Sequence, residues 1–239
     1  MRIASLSAGL LALAAYAGGA CSQERPYYFR LDTGNSWAQG GGFHDRTFTG
    51  GALGFLVCGN PPCTSNMSIN HLGQSPVYGV GAGWRFNPQW RADLTLGWRK
   101  FKVDGIDQFP ENVHGDVNSQ VAMLTGYWDI PVDGKLKPYV GAGVGMARNS
   151  MGITTDSFIP GPGTILATPG VKTSTAMSLA AGVSYAICEG VAIEVGYRYL
   201  DLGKFQTGNV ADFGFGITIP YQGAEGKLRT NELTLGVRF

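Results

Sequence analysis

The sequence predicts an all-β fold, an eight-stranded antiparallel transmembrane β-barrel with short periplasmic turns and four long extracellular loops. Three observations predict it. Apolar and polar residues alternate with period two through most of the chain, which is the pattern of strands with two different faces. Beyond residue 20, no segment approaches the roughly 20 continuous apolar residues of a membrane-spanning helix. Short and long connections alternate along the chain, as they do in barrels of the outer membrane.

The composition favours tightly curved sheets over a mixed soluble fold. The 239 residues include 37 glycines, and only 15% of the residues are charged, compared with about a quarter in soluble domains. Curved sheets and turns with positive φ need glycine. The 18 Lys and Arg residues nearly balance the 17 Asp and Glu residues. Because the chain has no marked excess of basic residues, we expect no nucleic-acid partner.

Residues 1–20 have the pattern of a secretory signal peptide. Arg2 supplies a basic start, residues 6–17 are apolar and uncharged, and small residues follow. Cleavage after Ala17 or after Ala20 fits this pattern, and residues 21–239 then form one barrel domain. The run Gly-Gly-Ala-Cys also resembles a lipoprotein site, so acylation of Cys21 is an alternative.

Eight segments carry the alternation. In chain order the predicted strands are 27–33, 77–86, 90–101, 120–130, 137–147, 178–187, 191–199 and 232–239. The apolar face of each strand should meet lipid, and the small or polar face should line the lumen. The residues predicted to face lipid are, strand by strand, Tyr27, Phe29, Leu31; Tyr78, Val80, Ala82, Trp84, Phe86; Trp90, Ala92, Leu94, Leu96, Trp98; Ala122, Leu124, Gly126, Trp128, Ile130; Pro138, Val140, Ala142, Val144, Met146; Leu179, Ala181, Val183, Tyr185, Ile187; Val191, Ile193, Val195, Tyr197, Tyr199; and Leu233, Leu235, Val237, Phe239.

The connections between these strands sort by length. Residues 87–89, 131–136 and 188–190 are short connections, whereas 35–75, 103–116, 149–171 and 203–228 are long. Brief periplasmic turns and extended extracellular loops have this arrangement. We therefore expect both termini in the periplasm and the barrel in the outer membrane of a Gram-negative bacterium. Aromatic residues near the strand ends fit the two interfacial girdles of such barrels.

The inward faces predict a network of charges in the lumen. All of its basic members are arginine, and they nearly match the acidic members in number. Arginine suits buried pairing with carboxylates better than lysine does, and eight strands leave an interior that side chains can fill. We therefore predict a largely plugged, salt-bridged lumen, with a narrow channel for small solutes as the alternative. The predicted network consists of Arg30, Asp32, Arg85, Arg91, Asp93, Arg99, Asp129, Glu194, Arg198, Glu232 and Arg238.

Three runs carry a resemblance to a known family. They are Lys-Pro-Tyr-Val-Gly-Ala-Gly-Val-Gly-Met-Ala at 137–147, Gly-Tyr-Arg-Tyr-Leu-Asp-Leu-Gly at 196–203 and Leu-Thr-Leu-Gly-Val-Arg-Phe at 233–239. Together they resemble the OmpA-like and opacity-type small outer-membrane β-barrels, also called the porin family or outer membrane protein beta-barrel domain.

The resemblance implies partners as well as a fold. In that family a terminal Phe preceded by alternate apolar residues is the signal read by the barrel assembly machinery, which implies this role for Leu233, Leu235, Val237 and Phe239. The implied function is membrane integrity together with surface interaction, with outer-membrane lipid and a host or surface ligand as the other partners.

Cysteines supply two candidate bridges. Cys58 and Cys63 flank a Pro-Pro turn in the first long loop, and an oxidising compartment after export favours a local disulfide between them. Cys21 and Cys188 are expected on the same side of the membrane. A second bridge between them is an open alternative, which lipidation of Cys21 would exclude.

The three histidines are the remaining candidates for ligand binding or catalysis. His44, His71 and His114 are expected in outer loops. Some relatives in the family bind haem, so loop-mediated haem or ligand binding is a second alternative, although the spacing favours three solvated histidines and no cofactor. Ser119 and His114 are five residues apart, which places them on opposite faces of a strand. We therefore expect no enzyme.

Overall fold

The computed structural model describes residues 26–39, 44–45, 68–106, 112–157, 163–212, 218–220 and 224–239. No helix in these ranges is long and apolar enough to cross a membrane. The strands are β1 (Tyr27–Gln39), β2 (His44–Asp45), β3 (Ser68–Leu72), β4 (Gln74–Arg85), β5 (Trp90–Ile106), β6 (Asn112–Asp129), β7 (Leu136–Ser157), β8 (Gly163–Cys188), β9 (Val191–Gln206), β10 (Val210–Asp212), β11 (Thr218–Pro220) and β12 (Ala224–Arg238).

Eight long strands close into an antiparallel barrel. β1 pairs with β4, and each of β4 to β9 pairs with the next long strand. β9 then pairs with β12, and β12 returns to β1. The backbone of Phe29 donates to Phe239 at 2.7 Å and accepts from it at 2.9 Å. The eight-stranded prediction is confirmed, and closure leaves the long strands without a free edge.

The predicted alternation of faces is also confirmed along these strands. Leu94 is 59% exposed on the outer surface, whereas its neighbours Asp93 and Thr95 are 0% and 7% exposed in the lumen. The same alternation runs through β6, where Leu124 and Trp128 are exposed and Thr125 and Tyr127 are buried. An apolar outer surface around a polar interior is the arrangement that a barrel in lipid requires.

Two residues that we predicted on the exposed apolar face are instead buried. Val237 is 8% exposed, and its cross-strand partners are Leu31 and Ile193, which cover it from both sides. Val191 is 4% exposed. It follows the turn at 189–190, next to a register shift between Ala186 and Cys188, so the alternation of β9 begins only after it.

The strands extend well beyond the predicted segments. β7 and β8 have 22 and 26 residues, whereas a tilted membrane-crossing strand needs about 9–11. They remain paired from Leu136↔Tyr185 to Ser157↔Gly163. The predicted connections 103–116, 149–171, 35–75 and 203–228 were therefore wrong in extent, because strands occupy parts of each of them. Backbone groups outside lipid still gain from pairing, so a hairpin need not end at the membrane.

The short connections lie where they were predicted. Residues 86–89, 130–135 and 189–190 join the long strands at one end of the barrel, which we call the turn end. Gly190 has φ +86° in the tightest of these turns, a conformation that glycine adopts without strain. The chain end Phe239 also lies there, while β2, β3, β10 and β11 lie at the opposite end, called the loop end.

Aromatic side chains surround the turn end. The rings of Trp90 and Trp128 are stacked with centroids 6.4 Å apart, and those of Tyr27 and Trp84 are 6.3 Å apart. All four residues are exposed on the outer surface. Amphipathic rings in this position suit the level of lipid headgroups.

Candidate functional site

Glu194 is the centre of a charged cluster in the half of the lumen nearest the turn end. Its Oε1 lies 3.2 Å from Arg91 Nη2 and 3.5 Å from Arg238 Nη1, and its Oε2 lies 3.3 Å from Arg30 Nη2. The carboxylate is 3% exposed. One buried carboxylate thus faces three arginines, each projecting from a different strand.

Other carboxylates complete this group, which we call the lower cluster. Arg30 contacts Asp32 at 2.8 Å and Asp93 at 2.5 Å. Arg91 Nε contacts Asp129 at 3.1 Å, and its Nη1 lies 3.7 Å from Asp93. Buried charges are tolerated when they are paired and hydrogen-bonded to several partners.

Tyrosines form the walls of the lower cluster. Tyr28 donates a hydrogen bond to Asp93. The guanidinium carbon of Arg91 lies 4.3 Å from the ring centre of Tyr127 and 5.0 Å from that of Tyr139, which is within cation–π range. The period-two alternation predicts that Tyr28, Tyr127 and Tyr139 face inward, but it predicts no role for them.

Glycines on the neighbouring strands leave the space that these tyrosine rings occupy. Tyr28 is paired with Gly83, and Tyr139 is paired with Gly182. A Cβ at Gly83 would collide with the Tyr28 ring, and one at Gly182 would collide with the Tyr139 hydroxyl. Glycine at these positions lets a large ring lie flat across the lumen.

A second group, the upper cluster, lies nearer the loop end and contains Arg99, Arg198 and Glu232. Arg99 contacts Glu232 through Nε, and its Nη2 donates to Oε2 at 3.1 Å. Arg198 Nη2 lies 3.2 Å from the same oxygen, and Ser36 donates to Oε1 at 3.2 Å. The carboxylate of Glu232 is fully buried.

The ion pairs described above include ten of the eleven predicted lumen charges. Arg85 is half-buried at the turn end, lines a recess there and interacts electrostatically with Glu194. The network divides into two clusters, a division that the sequence did not predict.

Beyond the upper cluster the lumen becomes apolar. Phe101, Leu202 and Leu228 are completely buried, and Phe205 is 1% exposed. We call this group the apolar layer; its members are Leu72, Phe101, Val117, Val121, Met123, Ala147, Met151, Ala176, Leu200, Leu202, Phe205 and Leu228. The expectation that inward faces are small or polar is wrong here. Where strands project beyond lipid, their outer face meets water and their inner face forms an ordinary core.

Two cavities lie beside these layers. One, of about 20 Å³, lies between the two clusters and is lined by Asp32, Arg99 and Arg198 among others, a volume that holds about one water molecule. The other is a recess of about 590 Å³ at the turn end. Its cationic wall residues are Arg85, Lys135, Lys137 and Arg238, and its acidic ones are Asp129 and Glu189.

The remaining candidate residues are not brought together in one site. Cys58 and Cys63 lie outside the described residues. His44, His71 and His114 lie in β2, β3 and β6, so the expectation of loop positions was wrong for each. His114 is exposed and Ser119 is buried, so the two lie on opposite faces, as predicted. In the described ranges, no group of three or more His, Cys, Asp or Glu residues is arranged to hold a metal ion.

The closed barrel, its apolar outer surface and its charged interior define an integral outer-membrane β-barrel protein. The chain belongs to the family described as outer membrane protein beta-barrel domain, which matches residues 3–239. The turn end accordingly faces the periplasm, and the loop end faces the exterior of a Gram-negative cell.

Relatives and solved structures agree with this assignment. An uncharacterized protein of Brucella suis is 32% identical over 183 residues, covering 66% of this chain and 64% of its own length. This chain therefore spans about 64% of the length of that relative. A candidate adhesin of Rickettsia prowazekii is 29% identical over 172 residues, covering 67% of this chain and 72% of its own.

Two solved barrels share the fold. The outer membrane protein OprG of Pseudomonas aeruginosa has a TM-score of 0.53 at 11% identity, covering 90% of this chain and 97% of its own. The outer membrane protease OmpT of Escherichia coli has a TM-score of 0.51 at 9% identity, with the same coverage. At these identities the likeness concerns the fold and not the activity.

Proposed function

We propose that this protein is a closed, non-catalytic outer-membrane barrel that stabilises the membrane and presents a surface-interaction site on its extracellular extension. The observation that carries the proposal is the projection of β5 to β8 far beyond the length that lipid requires. A barrel that only spanned the membrane would not need this extension. The relationship to a candidate adhesin supports the same function.

Three stacked layers support a closed lumen. The lower cluster, the upper cluster and the apolar layer each occupy the barrel interior with residues that are almost fully buried. Barrels with an open aqueous channel typically have about 16–18 strands, whereas about eight strands leave room only for side chains. The filled interior favours a plugged barrel over the alternative of a narrow solute channel.

The extracellular extension carries a cationic patch, formed by Lys100 and Lys102 on β5 and Arg148 on β7. All three side chains are exposed on the outer face. Lys100 pairs with Asp116 at 2.9 Å, while Lys102 and Arg148 have no ion-pair partner within the part of the chain that the structure describes. Exposed and unpaired cations attract anionic polymers, so we propose a polyanionic surface ligand.

The opposite side of the extracellular extension also carries exposed lysines. Lys204 on β9 and Lys227 on β12 are directly paired in the ladder, and like charges in that position repel each other. Lys204 also contacts Glu225 at 3.3 Å. An anionic partner would relieve the repulsion that remains.

Binding to an anionic surface tests this function. Cells that display the triple variant Lys100→Ala, Lys102→Ala, Arg148→Ala should adhere to heparin-coated plates and to a host cell monolayer at the level of cells lacking the protein, because the patch supplies the attraction. The matched control is Lys135→Ala, Lys137→Ala, which removes cations from the periplasmic recess and should leave adhesion unchanged. Adhesion of the triple variant at the wild-type level, with equal amounts of folded barrel, would contradict the proposal.

The C-terminal strand is proposed as the assembly signal. Leu233, Leu235 and Phe239 are exposed on the outer face, whereas Val237 is buried between neighbouring strands. In the folded barrel the three exposed residues face lipid, so the assembly machinery would read the signal before β1 and β12 pair.

A further inference from the structure

We propose that Cys188 is joined to Cys21 by a disulfide bond that tethers the mature N-terminus at the periplasmic recess. The first observation is that Cys188, which ends β8, is disulfide-bonded. It is the one cysteine within the described residues, and the sequence contains four. Within this chain its partner must be Cys21, Cys58 or Cys63, all of which lie outside the described residues.

The topology argues against Cys58 and Cys63. Both occur in the sequence between β2 and β3. β2 pairs with the start of β12, and β3 pairs with the outermost residues of β5, so both flanking strands lie at the loop end. Cys188 lies at the turn end. A bridge between the two ends would have to pass through the lipid or through the filled lumen.

Cys21 lies close in the sequence to the wall of the recess. Pro26 lines the same recess as Cys188, and its carbonyl accepts a hydrogen bond from the backbone N–H of Arg85 at 2.6 Å. Cys21 lies five positions before Pro26 in the sequence, and five residues of extended chain reach about 17 Å.

Charge adds a second argument. The recess has four cationic wall residues, Arg85, Lys135, Lys137 and Arg238, against two acidic ones. Nη1 of Arg238 is buried and has no hydrogen-bond acceptor among the residues that the structure describes, although it lies 3.5 Å from Glu194. Glu24, three positions after Cys21 in the sequence, carries the charge opposite to that of this wall.

The bond would form after export. The two thiols lose two protons and two electrons to the disulfide of a periplasmic dithiol oxidase, which is released as its dithiol while the Cys21–Cys188 bond forms. A sulfur in a disulfide cannot carry an acyl chain. The proposal therefore excludes lipidation of Cys21 and requires signal cleavage to leave Cys21 in the mature protein.

Peptide mapping of the protein purified from outer membranes tests the pairing. Free thiols are alkylated, and the protein is digested with trypsin without reduction. Trypsin does not cleave before Pro26, so Cys21 lies in a peptide that ends at Arg30. Cys188 lies in the peptide of residues 173–198, and Cys58 and Cys63 lie together in the peptide of residues 47–85. We expect the first two peptides to be linked and to separate on reduction.

Two cysteine variants test which thiol is the partner of Cys188. In Cys21→Ser, the thiol of Cys188 should become alkylated, whereas in Cys58→Ser, Cys63→Ser it should stay linked to the peptide ending at Arg30. A link between 173–198 and 47–85, a dimer linked through Cys188, an acylated Cys21 or free thiols at both positions would each overturn the proposal.

Discussion

Replacing Glu194 with Gln should lower the free energy of unfolding by about 3–5 kcal/mol, because it leaves buried arginines without their shared carboxylate. The effect should fall most heavily on Arg238, because its remaining contacts are uncharged: the Ser184 hydroxyl at 3.3 Å and the Tyr28 ring, whose centre lies 5.1 Å away. Arg30 and Arg91 keep Asp32, Asp93 and Asp129. Denaturant unfolding in lipid vesicles, followed by tryptophan fluorescence, measures the change.

Two further variants separate charge pairing from a general loss of packing. The same substitution at Glu225, which contacts Lys204 at the surface, should change stability by less than about 1 kcal/mol. In the double variant Glu194→Gln, Arg238→Gln, the loss should be smaller than the sum of the two single losses, because the buried cation is removed together with its partner. Additive losses would show that Glu194 and Arg238 are not coupled.

Replacing Phe101 with Ala should also cost about 3–5 kcal/mol, the range for removing a buried aromatic ring from a packed core. Phe101 is fully buried in the apolar layer together with Phe205 and Leu202. The cavity left behind should lower the denaturant midpoint in the same assay.

The matched control for this prediction is Phe86→Ala. Phe86 lies in a periplasmic turn and is 66% exposed, so its substitution leaves no internal cavity and should have a clearly smaller effect. Equal losses at Phe101 and Phe86 would mean that the apolar layer does not behave as a core.

The barrel and its faces were predictable from the sequence because alternation is a local property of each strand. Leu94 and Thr95 were assigned to opposite faces from neighbouring residues alone, and the even number of strands placed both termini on the same side of the membrane. Val191 and Val237 were misplaced because their burial depends on a register shift and on cross-strand neighbours. Neither the register shift nor the cross-strand neighbours can be predicted from the sequence of a single strand.

The apolar layer could have been found from the same alternation. Along β5, the outward residues change from Leu96 and Trp98 to Lys100 and Lys102, while the inward residues change from Arg99 to Phe101. This reversal of polarity marks the point where the strand leaves the lipid. Outward polar residues are also typical of a loop, so the predicted strand ends at Phe101.

The division of charges into two clusters was not predictable from the sequence. Which arginine reaches Glu194 and which reaches Glu232 depends on the tilt and register of the strands around the barrel. Tyr127 and Tyr139 also depend on register, because their rings lie across the lumen opposite glycines on neighbouring strands.

Conductance in a planar lipid bilayer tests the closed lumen most directly. The purified, folded protein should produce no stable, reproducible current steps, because two charged clusters and the apolar layer fill the interior. Folding is checked on the same sample by the difference in gel migration between boiled and unboiled protein. Uniform open steps of wild-type protein, retained after repeated purification, would contradict the account.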